Sequence, residues 1–322
     1  MLLALAASAA AACEDREPAG TPPPSATRTL QTLESIERLL DAGRTAEALR
    51  AAESLARSLP RDPLGAEMLG RARMAAGSPA GEIADAWAAA ADLDPSSPGL
   101  QSSAGITAAA AGRWQDALGR HAAARRLQPG NPQHPMHMSI ALRQLNQPGE
   151  ALTLAEVARN LAPTDPTVNL ALAEALTACN RATDALPVLR AVAEGHARDP
   201  AIMVQASDLA HRCGDATAAE AWIRPLATAP EATDALIERW SSSLMATGRA
   251  VEAASALERI ALRPGSSWPP CIRLAECLAA AGMPQEALAW LARARERGAP
   301  PAATHAVERT LALPRHGDVS AQ

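Results

Sequence analysis

The chain has 322 residues and a formal net charge of −5, with apolar residues at 48% and charged residues at 20%. That is room for two ordinary domains or one extended array, with enough apolar side chain to bury a core. There is no Phe, no Tyr and no Lys, so all 30 basic residues are Arg; this excludes a Walker A lysine, a Schiff-base lysine and a tyrosine acid or base. The acidic balance argues against a nucleic-acid binder, whose surface is normally basic. Alanine is roughly a quarter of the chain, a bias that favours helix, and the scarcity of β-forming residues makes an all-α fold the expectation.

Residues 1–12 read MLLALAASAAAA and are followed by Cys13 and the charged run Glu14-Asp15-Arg16. The apolar stretch is too short for a bilayer of ~30 Å, which needs about 20 residues. Its length suits the apolar region of a secretory signal, and Ala10, Ala11 and Ala12 suit a cleavage site. Small residues directly before a cysteine resemble a bacterial lipobox, which implies cleavage before Cys13 and lipidation of its thiol and new amino terminus. Ala10 stands where that pattern usually has Leu, and no Lys or Arg precedes the apolar run. The other reading is an Ala-rich helix at the start of a cytosolic protein. Residues 13–28 are rich in Pro, Ser and Thr with little to bury and are expected to form a loose tether.

From about Thr29 a period takes over. Gly43, Gly77, Gly112, Asn146, Asn180, Gly214, Gly248 and Gly282 follow one another in steps of 34 residues, with one step of 35. Gly and Asn best tolerate positive φ, so this column predicts a left-handed cap closing a helix in every unit. Five residues past the cap stands Ala48, Ala117, Ala151, Ala185, Ala219, Ala253 or Ala287, usually preceded by an acid that complements a helix N-terminus. Seven residues before the cap the side chain is small: Gly70, Gly105, Ser139, Ala173, Ser207, Ser241 and Ala275. Small residues there let helices approach to 8–10 Å. Proline marks the breaks between units at Pro60, Pro95, Pro129, Pro163 and Pro200. Exceptions are Ile36 in the close-contact column, Ile83 in the small slot of the second unit, and Pro187 and Pro225 inside expected second helices. Pro225 makes the sixth unit the least regular.

Helix, tight turn, helix and break at a 34-residue period resembles the tetratricopeptide repeat, over about residues 29–301, with units beginning near 29, 63, 98, 132, 166, 200, 234 and 268. The family's aromatics are replaced by residues such as Leu142, Leu176, Leu244 and Leu278. The resemblance implies a right-handed α-solenoid of about eight helix-turn-helix repeats. Residues 302–313 are expected to form a capping helix for the last unit, and residues 314–322 a disordered tail.

Catalytic constellations are not found: no HExxH, GxSxG, GxGxxG or CxxC string occurs. His134 and His137 are near a helix start with no acidic or cysteine companion, and His211 and Cys213 flank Arg212 on one helix. Cys271 and Cys277 are six residues apart, about 9 Å along a helix and too far for a disulfide. Cys179 and Cys213 occupy one slot in successive units, and all four thiols are expected to be buried and inert. The tryptophans Trp87, Trp114, Trp222, Trp240, Trp268 and Trp290 are expected to fill the core.

In the family resembled, first helices line a concave surface that holds a partner's segment. By that resemblance the partner-facing residues are Arg71 and Met74 in the second unit, Met136, Ile140 and Arg143 in the fourth, and Leu170 and Glu174 in the fifth. Val204, Asp208 and His211 continue the surface in the sixth unit, Glu238, Ser242 and Met245 in the seventh, and Ile272 and Glu276 in the eighth. The Lys and Asn set with which chaperone-binding relatives clamp a carboxylate tail is absent. The expectation is a non-catalytic scaffold at the cell envelope, anchored through lipid on Cys13, binding a protein or peptide segment without metal, small-molecule cofactor or nucleic acid. Two alternatives stand beside it: a cytosolic assembly factor with no cleaved signal, and an enzyme with an unrecognised site in the groove.

Overall fold

A computed structural model describes residues 24–312, which contain seventeen α-helices and no strand. Successive hairpins are α1 (Pro24–Asp41) with α2 (Thr45–Ser58), α3 (Pro63–Ala75) with α4 (Ala80–Leu93), and α5 (Pro98–Ala110) with α6 (Trp114–Leu127). Then come α7 (Gln133–Gln144) with α8 (Pro148–Leu161), α9 (Pro166–Ala178) with α10 (Ala182–Gly195), and α11 (Pro200–Arg212) with α12 (Ala216–Ala227). The last pairs are α13 (Asp234–Ala246) with α14 (Ala250–Ala261) and α15 (Pro269–Ala280) with α16 (Pro284–Glu296), followed by the single helix α17 (Pro301–Ala312). Helices α1–α6 fall in one compact unit ending at Pro129, and α7–α17 in a second beginning at Gly130. The chain is an all-α repeat solenoid.

The hairpins close as the cap column requires. Gly43, Gly77, Gly112, Asn146, Asn180, Gly214, Gly248 and Gly282 all have positive φ, 59° at both asparagines. In each, the cap N–H and the next N–H turn back onto carbonyls of the preceding helix, as Gly43 N does to Leu40 O and Arg44 N to Leu39 O. This is the Schellman arrangement, which satisfies carbonyls a helix end otherwise leaves open. Four of the first helices begin on a side-chain cap followed by proline: Asp62 before Pro63, Ser97 before Pro98, Asp165 before Pro166 and Asp199 before Pro200. The cap oxygen satisfies a free N–H and proline needs none. The first helix starts at Pro24 rather than near residue 29, again on a proline tolerated in a first turn. The extra residue of the 35-residue step is absorbed between Gly77 and Ala80, so α4 keeps its register.

Packing within a hairpin follows size complementarity. The close-contact position of the first helix faces one on the second helix, and large is set against small. Ile36 shares a cluster with Ala52, while Gly70 faces Trp87 and Gly105 faces His121. Ala173 shares a cluster with Leu189, and Ala275 with Leu291. Alanines at the conserved spacing past the cap, from Ala48 to Ala287, are buried to within 1%, which lets neighbouring helices close in. Pro187 and Pro225 are accommodated inside α10 and α12, so the sixth hairpin forms despite its proline.

In the first unit the core gathers around Ile36, Leu55 and Met68, and around Trp87 and Leu100. In the second it runs through clusters containing Val168, Leu189 and Leu209, then Leu244, Leu257, Leu274 and Leu291. Each fully buried Leu or Ile contributes about 1.5–3 kcal/mol. The last cluster reaches Val307 of α17, which thereby covers the end of the stack. No helix among the described residues is long and apolar enough to cross a membrane.

Candidate partner-binding face

First helices are tied to one another by ion pairs on the face where the partner residues were expected. In the first unit Arg71 of α3 reaches Glu37 of α1 at 3.2 Å, and Met74, one turn on, is 53% exposed. Ile106 of α5 is likewise 48% exposed. Glu67, half-buried near this pair, has its carboxyl raised above the ordinary range, by burial first and by Glu37 second, with Arg71 opposing.

In the second unit Arg143 of α7 pairs with Glu174 of α9, Asp208 of α11 with Arg239 of α13 at 3.2 Å, and Glu238 of α13 with Arg273 of α15 at 3.3 Å. The Arg143 side chain is only 13% exposed. Burial lowers its pKa, Glu174 opposes and the neighbouring Arg212 adds to the shift. Its Nε is buried without a hydrogen-bond partner. The guanidinium is charged at any physiological pH, so the shift records chiefly its burial.

Helices α9, α11 and α13 border an open cavity of about 430 Å³ whose walls include Glu174, Gln205, Asp208, Arg212, Arg239 and Ser242. His211 and Ser242 are exposed, and Val204 and Met245 are half-buried. Ile140 is half-buried on α7. Glu276 is exposed at the edge of a smaller cavity of about 280 Å³ formed with Ala279, Val307 and Leu311.

Three expected partner residues are core residues instead. Met136 is packed with Ala158 and Val168, Leu170 belongs to the cluster of Leu189, and Ile272 to that of Leu274. All three sit ten residues before the cap, a slot that in these units turns into the stack; the slots six and three residues before it are half-buried or exposed, and the slot two before it is exposed. The spacing reading missed Arg212, Arg239 and Arg273. Arg239 and Arg273 are 34 residues apart in one column, the signal that would have found them.

Of the four cysteines among the described residues, two are buried and two half-buried. Cys271 and Cys277 are buried, and burial pushes the Cys277 thiol up to about 11. Cys179 and Cys213 are only half-buried; the Cys179 thiol donates to Pro148 O, and Cys213 Sγ lies 3.2 Å from Thr177 Oγ1. Trp87 and Trp290 are buried as expected, and Trp240 donates from its ring nitrogen to the buried carboxylate of Glu220. Among the described residues no group of three or more His, Cys, Asp or Glu is placed to hold a metal. Cys13 lies outside the described residues.

Capped helical hairpins repeating at 34 residues, with a ligand-sized cavity on the first-helix face, define an α-solenoid repeat protein. Family profiles described as tetratricopeptide repeat match residues 33–98 and 244–309. Among solved structures the chain is similar to a tetratricopeptide repeat protein from Parabacteroides merdae, at 12% identity and a TM-score of 0.52, over 81% of this chain and 98% of that one. It is also similar to a chain of the APC/C hetero-tetramer Cut9-Hcn1, at 12% identity and a TM-score of 0.52, over 80% of this chain and 48% of that one. At these identities the likeness shows the fold alone. No curated protein matches the chain.

Proposed function

We propose that the chain is a non-catalytic scaffold that holds a segment of a partner protein on the first-helix face of residues 130–322, and that it is exported and anchored at the cell envelope through lipid on Cys13. The binding part rests on one observation: exposed and half-exposed residues of α9, α11 and α13 converge on a cavity of about 430 Å³. That volume lies in the range of ordinary ligand clefts. The face mixes apolar positions such as Met245 with charged ones such as Asp208, a combination suited to anchoring a segment and setting its register. The export part rests on the apolar stretch 1–12, the small residues before Cys13 and the Pro/Ser/Thr-rich stretch after it.

Capture from an envelope extract with the purified chain as bait tests the binding part. The exposed-face variants His211→Glu and Ser242→Arg are expected to lose the partner, while Glu156→Arg and Glu258→Arg on second helices retain it. Equal capture by all four variants refutes the face. For the anchor, mass spectrometry of the mature amino terminus is expected to find a lipid-modified Cys13 as first residue, and an intact Met1 refutes it.

A further inference from the structure

Around the cavity of α9, α11 and α13 each carboxylate already has its guanidinium. Glu174 is paired by Arg143, and Asp208 by Arg239. Arg212 also lines the cavity, is exposed, and takes no carboxylate among the described residues. It is the last residue of α11, where a cation complements the helix dipole, and its five donors are open to an acceptor entering from solvent. Arg143, close enough to feel its charge, has a buried Nε without an acceptor. Arg143, which pairs into the cavity without lining it, therefore brings the guanidinium groups there to three against two carboxylates, a surplus of one positive charge on a chain whose net charge is −5. His211 beside it adds no negative charge.

From this surplus, and resting on the proposed function above, we infer that the cavity is an anion subsite in which Arg212 receives the side-chain carboxylate of an Asp or Glu within the partner's segment. An internal side chain rather than a chain terminus fits because the face continues on both sides of the cavity, with Ile140 on α7 before it and Met245 on α13 after it. A segment lying along the face passes over Arg212 instead of ending there. A guanidinium–carboxylate fork gives both attraction and register.

The test is selection of random dodecapeptides, displayed with their carboxyl ends fused to the carrier, on the immobilised full chain. Wild type is expected to enrich peptides with Asp or Glu at one fixed position. Arg212→Glu is expected to abolish that preference and to weaken the enriched peptides by about tenfold or more, and added salt to weaken their binding to wild type. Arg212 is exposed, so the variant should fold, and an unchanged circular dichroism spectrum checks that it does. Enriched peptides without an acidic position, or the same acidic preference in wild type and Arg212→Glu, overturn the inference and leave the groove reading intact. An acidic preference seen only in a library with free carboxyl ends also overturns it, because the anion is then a terminus. Failure to enrich any peptide overturns both the groove reading and the inference.

Discussion

Adding one methyl group at Gly70 tests whether hairpin packing is set by size complementarity. A Cβ built on Gly70 lies 2.8 Å from Trp87 Nε1, 2.9 Å from Cδ1 and 3.0 Å from Cε2. Comfortable separations are about 3.5–4.0 Å, so the indole must retreat by roughly 0.5–1 Å. It is 8% exposed and packed among Ala90, Ala91, Leu100 and Ala104, and its rigid ring has no flexible end to yield. Overpacking of this kind costs about 1–3 kcal/mol, while Ala in place of Gly inside a helix returns about 1 kcal/mol. Gly70→Ala should therefore destabilise the α3–α4 hairpin by about 1 kcal/mol. In a Trp87→Leu background the clash disappears and the same substitution should stabilise by up to about 1 kcal/mol. The sign reverses between backgrounds, which is a coupling between contacting residues. Repeat arrays open locally, so the assay is native-state hydrogen exchange of the full chain, reading peptides from α3 and α4. A stabilising Gly70→Ala with Trp87 present, or equal effects in the two backgrounds, refutes the reasoning.

Asn146, at φ 59°, should lose about 1 kcal/mol of local stability as Asn146→Ala and stay within a few tenths as Asn146→Gly; hydrogen exchange across α7 and α8 measures it. Leu257, 1% exposed in the last core cluster, should cost about 2–5 kcal/mol as Leu257→Ala, read as a lower urea midpoint. For Glu67, whose carboxyl pKa is raised in the folded chain chiefly by burial, the favourable contribution is present below the ordinary Glu pKa of about 4.3 and is lost as pH rises through the raised value. Glu67→Gln should therefore raise Tm at pH 7 and make little difference near pH 3.5; a gain at low pH alone contradicts this account.

The cap column was legible because positive φ admits few residue types, so a backbone requirement appears directly as Gly or Asn. The helix starts were legible for a similar reason, since proline and its preceding Asp or Ser each answer a particular need of a first turn. Ile36 reads as an exception only while its column is read alone; opposite Ala52 it obeys the same rule as Gly70 opposite Trp87. Inward and outward first-helix slots were not separable from spacing. Met136, Leu170 and Ile272 share a slot with Glu238, and only the helix packed beside each one decides whether it is covered. The division after Pro129 also falls within an unbroken 34-residue step from Gly112 to Asn146, so periodicity carried no sign of it.

Among these findings the ion pairs change how the face is read. Glu37–Arg71, Arg143–Glu174, Asp208–Arg239 and Glu238–Arg273 each join consecutive first helices. The three more exposed pairs contribute about 0–1 kcal/mol apiece, and in the more buried Arg143–Glu174 pair desolvation offsets much of the attraction, so their stabilising effect is small. Their larger consequence is to neutralise most charges on the face and hold the planar guanidinium forks in fixed directions, which a lysine's single rotating ammonium would not do. A face whose charges are largely satisfied internally offers a partner only the groups left over. Those groups include the apolar ends of Met74 and Ile106 in one unit and Arg212, His211 and Ser242 in the other. On the proposed function, discrimination between partners falls to a few unpaired positions.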